Sequence, residues 1–568
     1  MKKPIKTICL LLVLILTVAL FGGCSGTSSD KTSNEPATTD EQEQKPAEEP
    51  SNEQPSEESK EDESSEPGTF ALPIVDEPVT FTYWVPFGGT AKEIIPDLSQ
   101  NEVYLELAKL TNVKIEFIHP PEGQETEHFN LMISSGDLPD IIEQGERYKG
   151  GIDKAIADGI FIRLNELVDK YAPNFKKVIE SNEELKKQVY SDEGNLLGFG
   201  MITSDVPGTS LEPTEENPWC GPFIRKDWLD ELGMEIPTTI DEWYTALKAF
   251  KEQKNAEIPM IWNNSIGMEP STGAFVSAFD IGPNFFIKNG EIKYGAIEPG
   301  FKEYLQLVNK WYQEGLIDKD FPTRDSKSID ALVMSGKVGA KLQDGTALIL
   351  KGRAVGIEFA GAPYPKRDEN SDIHWRYKNN ICRDNYAVIT SKCKNPEVAV
   401  KWFDYHYTYE GLKLFNFGVE GKSYTSIDEL GRPQYVEYLT KDNYLEWDRY
   451  NHVVRLHNGS YLKSVTRSVP RCWMEDLEKY RIVWDNQPAD YVLPPITLTA
   501  EEGAEYAKIM SDIESYRNEM MLKFIMGQEP LDKFDEFVSN IKAMNIDRVI
   551  EIYTAALERY NKRLERVQ

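Results

Sequence analysis

The sequence is short of positive charge and lacks the motifs that mark common enzyme active sites. Its 568 residues include 63 lysines and arginines against 94 aspartates and glutamates, a formal net charge of −31. Nucleic acids and anionic lipids would repel such a chain. The six histidines show no HExxH or comparable metal-ligand spacing, and no GxSxG elbow, P-loop or dinucleotide-binding glycine motif occurs. We therefore predict that the protein is not an enzyme and does not bind nucleic acid.

Long hydrophobic runs are also missing from the sequence. The most apolar segment, Ile8–Phe21, is shorter than the roughly 20 residues that a helix needs to cross a bilayer. Three lysines precede it, and this arrangement is typical of a secretory signal peptide. We assign the signal peptide to residues 1–23.

Two small residues and a cysteine follow the apolar run. Gly22, Gly23 and Cys24 resemble a lipobox, in which the cysteine is acylated and becomes the new amino terminus. Phe21 stands where that motif usually carries leucine, so the match is imperfect. We predict lipidation of Cys24, and an incidental cysteine after a plain cleavage site is the alternative.

Aromatic residues are absent from residues 24–67, which consist mainly of Ser, Thr, Glu, Pro and Gln. This composition cannot bury enough apolar surface to offset the entropy lost on ordering. The segment carries 14 acidic residues and three lysines, so self-repulsion extends it. We predict a disordered acidic tether between the lipid and a folded part that spans residues 68–568.

Cysteine is scarce in the folded part, where only Cys220, Cys382, Cys393 and Cys472 occur. Outside the cell a disulfide such as Cys382 to Cys393 can form, and free buried thiols are equally compatible with the sequence. The length of this part allows two or three domains with real hydrophobic cores.

The first third of the folded part alternates strand and helix patterns. Pro78–Val85, Val113–Ile118 and Leu138–Ile142 are predicted strands, separated by the helical patterns Asn101–Leu110 and Phe129–Ile133. A β-α-β-α-β order predicts a parallel sheet with helices on its faces. The fold class is therefore α/β.

Ligands of such sheets bind beyond the carboxyl ends of the strands. This rule points to Tyr83 and Trp84 at the end of the first predicted strand, and to Glu143 and Gln144 after the third. We expect these side chains to face a binding cleft.

The middle of the chain contains a pair of predicted helices, IRKDWLDELGMEIPTTIDEWYTALKAFK, at residues 224–251. Gly233 is the predicted C-cap of the first helix, and Thr239 with Glu242 has the spacing of a capping box. Together with other segments, this pair resembles the large extracellular solute-binding lipoproteins of bacterial ABC importers, of the family 1 type that serves complex carbohydrates. The other segments, in the order of that family, are SGDLPDII (135–142), SGKVGAKLQD (335–344), NPEVAVKWFDYHYTYEG (395–411), NFGVEGKSY (416–424) and the final stretch from KFIMGQEP to ERYNKR (523–563).

This resemblance implies two α/β lobes that enclose a cleft, a hinge between them and a helix-rich carboxy-terminal part. Lobe 1 would take residues 78–202 and segments that return after residue 340, while lobe 2 would take 221–339 and later helices. We expect the return near Lys341, which would bring Asp344 close to the cleft. The solute would stabilise a closed state relative to the open state, and a membrane permease would recognise the closed state.

Tryptophans beside polar residues favour a sugar as the solute. A pyranose ring offers an apolar face for stacking and a rim of hydroxyls for planar donors and acceptors. Trp262 and Asn263 follow the apolar run Ile258–Ile261, and Trp219 lies in a predicted crossing between lobes. Packing in the core is the alternative for each tryptophan. The predicted ligand-binding residues are Tyr83, Trp84, Gln144, Trp219, Trp262, Asn263, Asp344, Trp375 and Trp473.

The preferred hypothesis is therefore extracellular binding of an oligosaccharide and its delivery to an ABC permease. The predicted protein is a monomer, anchored by lipid to the outer face of the membrane of a Gram-positive cell. A peptide-binding or sensing lipoprotein with the same fold is one alternative, and a secreted glycoside hydrolase with two opposed carboxyls is another. No cofactor is predicted. Asp368, Glu369 and Asp372 could supply oxygens to a structural calcium, but they lack the EF-hand spacing, and no metal site is assigned.

Overall fold

The computed structural model describes residues 71–87, 92, 95–204, 213–214, 220–262, 273–429, 431–441, 444–445, 449–450, 454, 459–466 and 483–567. The predicted signal peptide, Cys24 and the acidic tether lie outside these residues. Within the described part, no helix is both long and apolar enough to cross a membrane.

The strands are short and spread along most of the described chain. In chain order they are β1 (Val79–Trp84), β2 (Val113–Ile118), β3 (Ile141–Ile142), β4 (Phe199–Ser204), β5 (Cys220–Arg225), β6 (Ile258–Ile261), β7 (Phe285–Lys288), β8 (Glu291–Tyr294), β9 (Val338–Asp344), β10 (Phe359–Gly361), β11 (Cys382–Ile389), β12 (Tyr424–Ile427), β13 (Pro433–Tyr435), β14 (Thr440–Lys441), β15 (Tyr444–Leu445) and β16 (Leu462–Ser464).

Helices alternate with these strands and dominate the carboxy-terminal part, as expected. In chain order they are α1 (Glu102–Thr111), α2 (Glu125–Ser135), α3 (Gly151–Ala157), α4 (Asn165–Tyr171), α5 (Pro173–Glu180), α6 (Glu183–Val189), α7 (Lys226–Leu232), α8 (Ile240–Gln253), α9 (Pro299–Gln313), α10 (Ser326–Met334), α11 (Gly345–Ala354), α12 (Pro396–Tyr405), α13 (Tyr409–Phe417), α14 (Ala500–Met526), α15 (Phe534–Ala543) and α16 (Ile546–Lys562).

The first sheet has the strand order β16-β4-β11-β3-β1-β2. Strands β1, β2 and β3 are parallel and are joined by α1 and α2, which confirms the predicted β-α-β-α-β unit. The third strand is only Ile141–Ile142, shorter than the predicted Leu138–Ile142. Pro139 has no backbone N–H to donate to a neighbouring strand, which agrees with the late start.

Local capping explains where the helices begin and end. Asn101 caps α1 by accepting from the N–H of Val103 at 2.9 Å. Gly233 ends α7 in the left-handed conformation with φ 68°, and Thr239 forms a complete capping box with Glu242 at the start of α8. The predicted helix pair is therefore confirmed together with its caps.

The second sheet has the strand order β10-β5-β9-β6, and Lys341 lies in its second-to-last strand. Lys341 pairs with Phe223 on one side and with Ile261 on the other. The expected return to the first lobe near Lys341 is therefore wrong. The chain re-enters the first sheet only at Cys382, where β11 begins, because β9 is needed between β5 and β6 to complete the second sheet.

Each sheet has its own hydrophobic core, so the fold is a two-lobed α/β fold. The first core packs residues such as Phe199, Trp402 and Phe403 around β1 to β4 and β11. The second core packs residues such as Trp243 and Trp311 around β5, β6 and β9. The chain passes from one lobe to the other after β4, after β10 and after β16.

Helix α16 joins the two cores at the carboxy-terminal end of the chain. Ile546 and Val549 at its start belong to the second core. Arg563, directly after the helix, donates to Asp192 in the segment between α6 and β4 at 2.8 Å, and Val567 packs on the first core. The last helix therefore spans from one lobe to the other.

Candidate functional site

One edge of the first sheet gathers the carboxyl ends of five strands. Strands β1, β2 and β3 are parallel, and β11 runs antiparallel to β3 and β4. Since β16 is parallel to β4, the carboxyl ends of β1, β2, β3, β4 and β16 lie at the same edge, where β11 begins. Ligands of open α/β sheets bind beyond this edge.

Two side chains from distant parts of the sequence meet at this edge. Gln144 follows β3 and donates from its Nε2 to Oδ1 of Asn385 in β11 at 2.7 Å. Both residues have a positive φ, 67° for Gln144 and 84° for Asn385. The pairing register of β11 also shifts between Arg383 and Ala387. A positive φ is uncommon for residues other than glycine, and surrounding contacts hold it in place here.

Glu146 connects the turn of residues 145–147 to the backbone of β11 at Asn385 and Tyr386. Its carboxylate accepts from the backbone N–H of Asn385 at 3.0 Å and of Tyr386 at 3.1 Å. The turn of residues 145–147 can lie this close to β11 because Gly145 has no side chain. A Cβ there would stand 2.6 Å from Cγ1 of Val388. The positions of Gln144 and Asn385 are therefore set by backbone contacts as well as by their own hydrogen bond.

Two acidic side chains at this edge, those of Glu146 and Asp384, have raised pKa values. Both side chains are exposed to water. Even so, the surrounding protein raises the pKa of Glu146 to about 7, mainly by desolvation and further through the nearby charge of Asp384. Desolvation also raises the pKa of Asp384. Both groups are therefore harder to ionise than an ordinary exposed carboxyl.

Arg147 is the basic member of the network. Its Nε donates to Oε1 of Gln144, and its Nη1 donates to Oγ1 of Thr126 at 3.2 Å. Thr126 lies in the first turn of α2, which follows β2. We name the residues Thr126, Gln144, Glu146, Arg147 and Asn385 the edge network. It supplies donors and acceptors of the kind that bind hydroxyl-rich ligands.

The structure places Tyr83 and Trp84 in the first core, which corrects the expectation that both face a cleft. Tyr83 is 2% exposed, and its Oη donates to Oε2 of Glu143 at 3.1 Å. Trp84 has no exposed surface, and its Nε1 donates to Nδ1 of His128 at 3.0 Å. Tyr83 and Trp84 are the last two residues of β1. Their rings therefore lie beside the sheet and do not extend beyond its edge.

Of the predicted residues in the second lobe, two have described side chains. Trp262 is 5% exposed, donates to Sδ of Met260 at 3.1 Å and meets Phe321 edge-on. Trp375 is partly buried against the second core, and a Cβ on Gly273 would stand 2.2 Å from its Cζ3. Trp262 therefore has a packing role, whereas Trp375 packs on Gly273 and keeps part of its surface exposed to water.

Four predicted ligand-binding side chains, those of Trp219, Asn263, Asp344 and Trp473, lie outside the described part. The backbone of Asp344 is described, and it pairs with Cys220 at the carboxyl end of β9. Strand β6 ends at the same edge, because it is parallel to β9.

Of the edge network, sequence reasoning had pointed only to Gln144 and not to Thr126, Glu146, Arg147 or Asn385. The motif Gln-Gly-Glu-Arg directly after a buried strand was a usable signal for Glu146 and Arg147. Asn385 gave no signal, because it lies 241 residues from its partner Gln144.

Two cysteines have described side chains. Cys382 and Cys393 are free and buried. Burial raises the pKa of the Cys382 thiol to about 12 and that of Cys393 to about 11. Of the two states that the sequence left open, the structure therefore has free buried thiols at these positions.

Metal ligands do not converge within the part of the chain that the structure describes, where no group of three His, Cys, Asp or Glu residues could hold an ion. Asp368 accepts from the N–H of Asn370 at 2.9 Å, and this bond is the main reason that its pKa is lowered. Asp372 lies 3.8 Å from Lys366. These carboxylates serve a local turn and an ion pair.

Comparisons with known proteins agree with this architecture. The chain is 25% identical over 486 residues to the fructooligosaccharide ABC transporter substrate-binding protein FusA of Streptococcus pneumoniae, a match that covers 82% of this chain and 88% of FusA. The solved structure of FusA with kestose covers 85% of this chain and 99% of its own, with a TM-score of 0.68 and 20% identity.

Two relatives from Bacillus subtilis are also similar. The polygalacturonan/rhamnogalacturonan-binding protein YtcQ is 26% identical over 471 residues, which cover 80% of this chain and 87% of YtcQ. Lipoprotein LipO is 27% identical over 248 residues, which cover 42% of this chain and 46% of LipO.

The family model described as bacterial extracellular solute-binding protein matches residues 85–413, more than half of the chain. The match includes all of the edge network. The protein therefore belongs to the family of bacterial extracellular solute-binding proteins, and it is a binding protein and not an enzyme.

Proposed function

We propose that this protein binds an oligosaccharide outside the cell and delivers it to an ABC permease when its two lobes close. FusA and YtcQ are named for the binding of fructooligosaccharides and of polygalacturonan or rhamnogalacturonan, and FusA is a component of an ABC transporter. Both match this chain over most of their length, which supports the same kind of solute here.

The edge network is the structural observation that carries the proposal. Arg147 is exposed and Asn385 is half-buried, so they present a planar guanidinium and a planar amide at this edge. Gln144 is 7% exposed and links the two, and Glu146 fixes the turns that hold them. Planar donors and acceptors suit the hydroxyl rim of a sugar. A ligand that touched this edge and the second lobe at once would favour the closed state over the open one.

The second lobe would complete the site from the ends of β6 and β9. Asp344 ends β9 and Trp262 follows β6 directly, so parallel pairing brings both positions to the same edge. We propose that Asp344 and Asn263 bind sugar hydroxyls, and that Trp219, Trp375 and Trp473 provide faces for stacking. We propose that lobe 1 takes residues 78–202 with the returning strands β11 and β16, and that lobe 2 takes residues 221–339 and continues beyond them to include all of β9 and β10.

We further propose that a lipid on Cys24 anchors a monomeric protein to the outer face of the membrane of a Gram-positive cell. LipO, a relative, is named as a lipoprotein. The acidic tether of residues 24–67 would keep the two-lobed domain near its permease and leave the lobes free to close. Cys24→Ser should release the protein into the medium with unchanged solute affinity, and a variant that stays on the membrane would refute the anchor.

Solute binding is proposed to need no metal. FusA has been solved as an EF-hand mutant, so the relative has such a site. If calcium has no structural role here, EDTA will leave both the melting temperature and the solute affinity unchanged, whereas a drop restored by calcium would assign a metal to this protein.

A thermal-shift screen of oligosaccharides, with analysis of the glycans after incubation, tests the main proposal. A ligand at about 100 times its Kd adds about 2.7 kcal/mol to the free energy of unfolding. We expect one glycan class to raise the melting temperature and to remain uncleaved. Cleavage would indicate a glycoside hydrolase, and stabilisation by peptides alone would indicate the peptide-binding alternative.

A further inference from the structure

Arg147 is an exposed arginine of this acidic chain, and its hydrogen-bond partners are neutral. The buried Arg517 also donates to neutral groups, those of Asn284, Tyr294 and Asn518. Arg147 donates to Gln144 and Thr126, and within the described part no carboxylate lies within ion-pairing distance of it. Other arginines of the lobes pair with acids, for example Arg225 with Asp227 at 2.6 Å and Arg324 with Asp318 at 2.7 Å. With 94 acidic residues in the chain, a shortage of acids does not explain the difference.

The guanidinium of Arg147 is held in position and keeps a free donor edge. Gln144 binds Nε and Thr126 binds Nη1, which leaves Nη2 with no partner in the described part of the chain. Gln144 is itself bound to Asn385. A guanidinium fixed in this way loses little entropy on binding, and its planar fork matches the geometry of a carboxylate.

Nearby acids form no hydrogen-bonded ion pair with Arg147 within the described part, although the charge of Arg147 is close enough to Glu125 to help lower its pKa. Glu146 directs its carboxylate to the backbone N–H groups of Asn385 and Tyr386. Desolvation raises the pKa of Glu146 to about 7, so close to neutral pH a large share of it is uncharged. Glu125 binds the N–H of Gly123 at 2.9 Å, and backbone hydrogen bonds are the main cause of its lowered pKa.

The free donor edge of Arg147 can therefore bind a carboxylate that approaches from the solvent side. We infer that the solute is an acidic oligosaccharide that contains uronic acid, and that Arg147 binds one of its carboxylates. This inference rests on the proposed function, because it assigns the solute class of the same site.

Matched pairs of glycans test the inference on the full chain. Uronate oligosaccharides of several linkages are compared by calorimetry with their carboxyl-reduced counterparts, which have the same linkage and length but no charge. The wild-type protein should bind one acidic glycan at least tenfold more tightly than its neutral counterpart. Arg147→Gln should lose about tenfold to a hundredfold of the affinity for the acidic glycan and little for the neutral one.

Arg163→Gln is the control variant, because Arg163 is an exposed arginine bound to Asn195 and Glu166 outside the edge network. It should leave the preference for the acidic glycan unchanged. Circular dichroism and the melting temperature establish that both variants are folded. Arg147→Lys should keep part of the affinity, since it keeps the charge but not the fork.

Different outcomes separate this inference from the proposed function. Tight binding of a neutral oligosaccharide with no gain from its acidic form would overturn the inference and leave the proposed function intact. Equal losses for acidic and neutral glycans in Arg147→Gln would also overturn it. If no oligosaccharide of either kind binds the wild-type protein, the proposed function itself fails.

Discussion

Arg563 donates from Nε to Oδ1 of Asp192 over 2.8 Å, although the two residues are 371 positions apart in the sequence. The arginine is only 1% exposed and also donates to the carbonyl of Lys187 and to Oγ1 of Thr497. Helix α16 therefore reaches the first lobe through a buried ion pair. The contact ties the end of the chain to the segment that precedes β4.

Replacing Arg563 with methionine should destabilise the protein strongly. Loss of one partner of a buried ion pair typically costs about 3 to 5 kcal/mol, because the other charge stays buried. Arg559, which also binds Asp192 at 3.0 Å, will offset part of the loss. Chemical denaturation of Arg563→Met measures the effect. Arg548→Met, which breaks an exposed pair with Glu505, is the control and should change the unfolding midpoint little. Equal effects of the two variants would contradict the structural role of the buried pair.

Gly221 in β5 packs directly against the indole ring of Trp484. Trp484 follows the crossing after β16, so this contact joins that crossing to β5. A Cβ at Gly221 would stand 2.3 Å from Cε2 of the indole. The indole cannot move away easily, because its Nε1 donates to the carbonyl of Ala362 at 2.7 Å. Gly221→Ala should therefore cost about 1 to 3 kcal/mol, seen as a lower melting temperature.

A matched glycine substitution checks that the cost comes from this contact. Gly503 lies in α14, and a Cβ there would meet no atom within 4 Å. Gly503→Ala should raise the melting temperature slightly, because alanine favours a helix more than glycine by about 1 kcal/mol. A similar loss in both variants would show that contact with Trp484 is not the cause.

Asp404 should make stability depend on pH between about 4 and 6. Burial raises its pKa to about 6, although the carboxylate accepts from the N–H of Phe175 and from Nδ2 of Asn174, each at 2.8 Å. Because the folded state binds the proton more tightly than the unfolded state, this contribution to stability is complete below the unfolded pKa of about 3.9 and is lost as the pH rises through 6.

Asp404→Asn removes this titration and provides the test. Unfolding free energies of wild type and variant are compared at several pH values from 4 to 7. The difference should move in favour of the variant as the pH rises. A difference that is constant over this range would show that Asp404 does not titrate as stated.

Asn385 should matter for solute affinity through its side chain and for stability through its backbone. Alanine at this position would be strained, because φ is 84°, whereas glycine adopts that conformation freely. We expect Asn385→Ala to lower both the melting temperature and the affinity for the oligosaccharide. Asn385→Gly should keep the melting temperature close to that of the wild type and still lose about tenfold in affinity. Full affinity in the glycine variant would remove Asn385 from the proposed site.

Local patterns in the sequence predicted the parts of the fold that short-range physics controls. The strands β1 and β2, the helix pair α7 and α8 and the caps at Gly233 and Thr239 depend on periodicity and on residues a few positions apart. Sheet membership is different, because pairing between strands is not local. Lys341 was expected in the first lobe for that reason, and only its pairing with Phe223 and Ile261 shows otherwise.

The sequence by itself determined the α/β class, the family resemblance and the place of Gln144 after a buried strand. It also gave the export signal, as a hypothesis. Only the tertiary structure decided that Tyr83 and Trp84 are core residues and that Asn385 and Arg147 meet at Gln144. Burial and side-chain contact depend on which distant segments pack together. A register shift in β11 and the positive φ of Gln144 and Asn385 bring these side chains to one edge of the first sheet. No local sequence pattern predicts that they meet there.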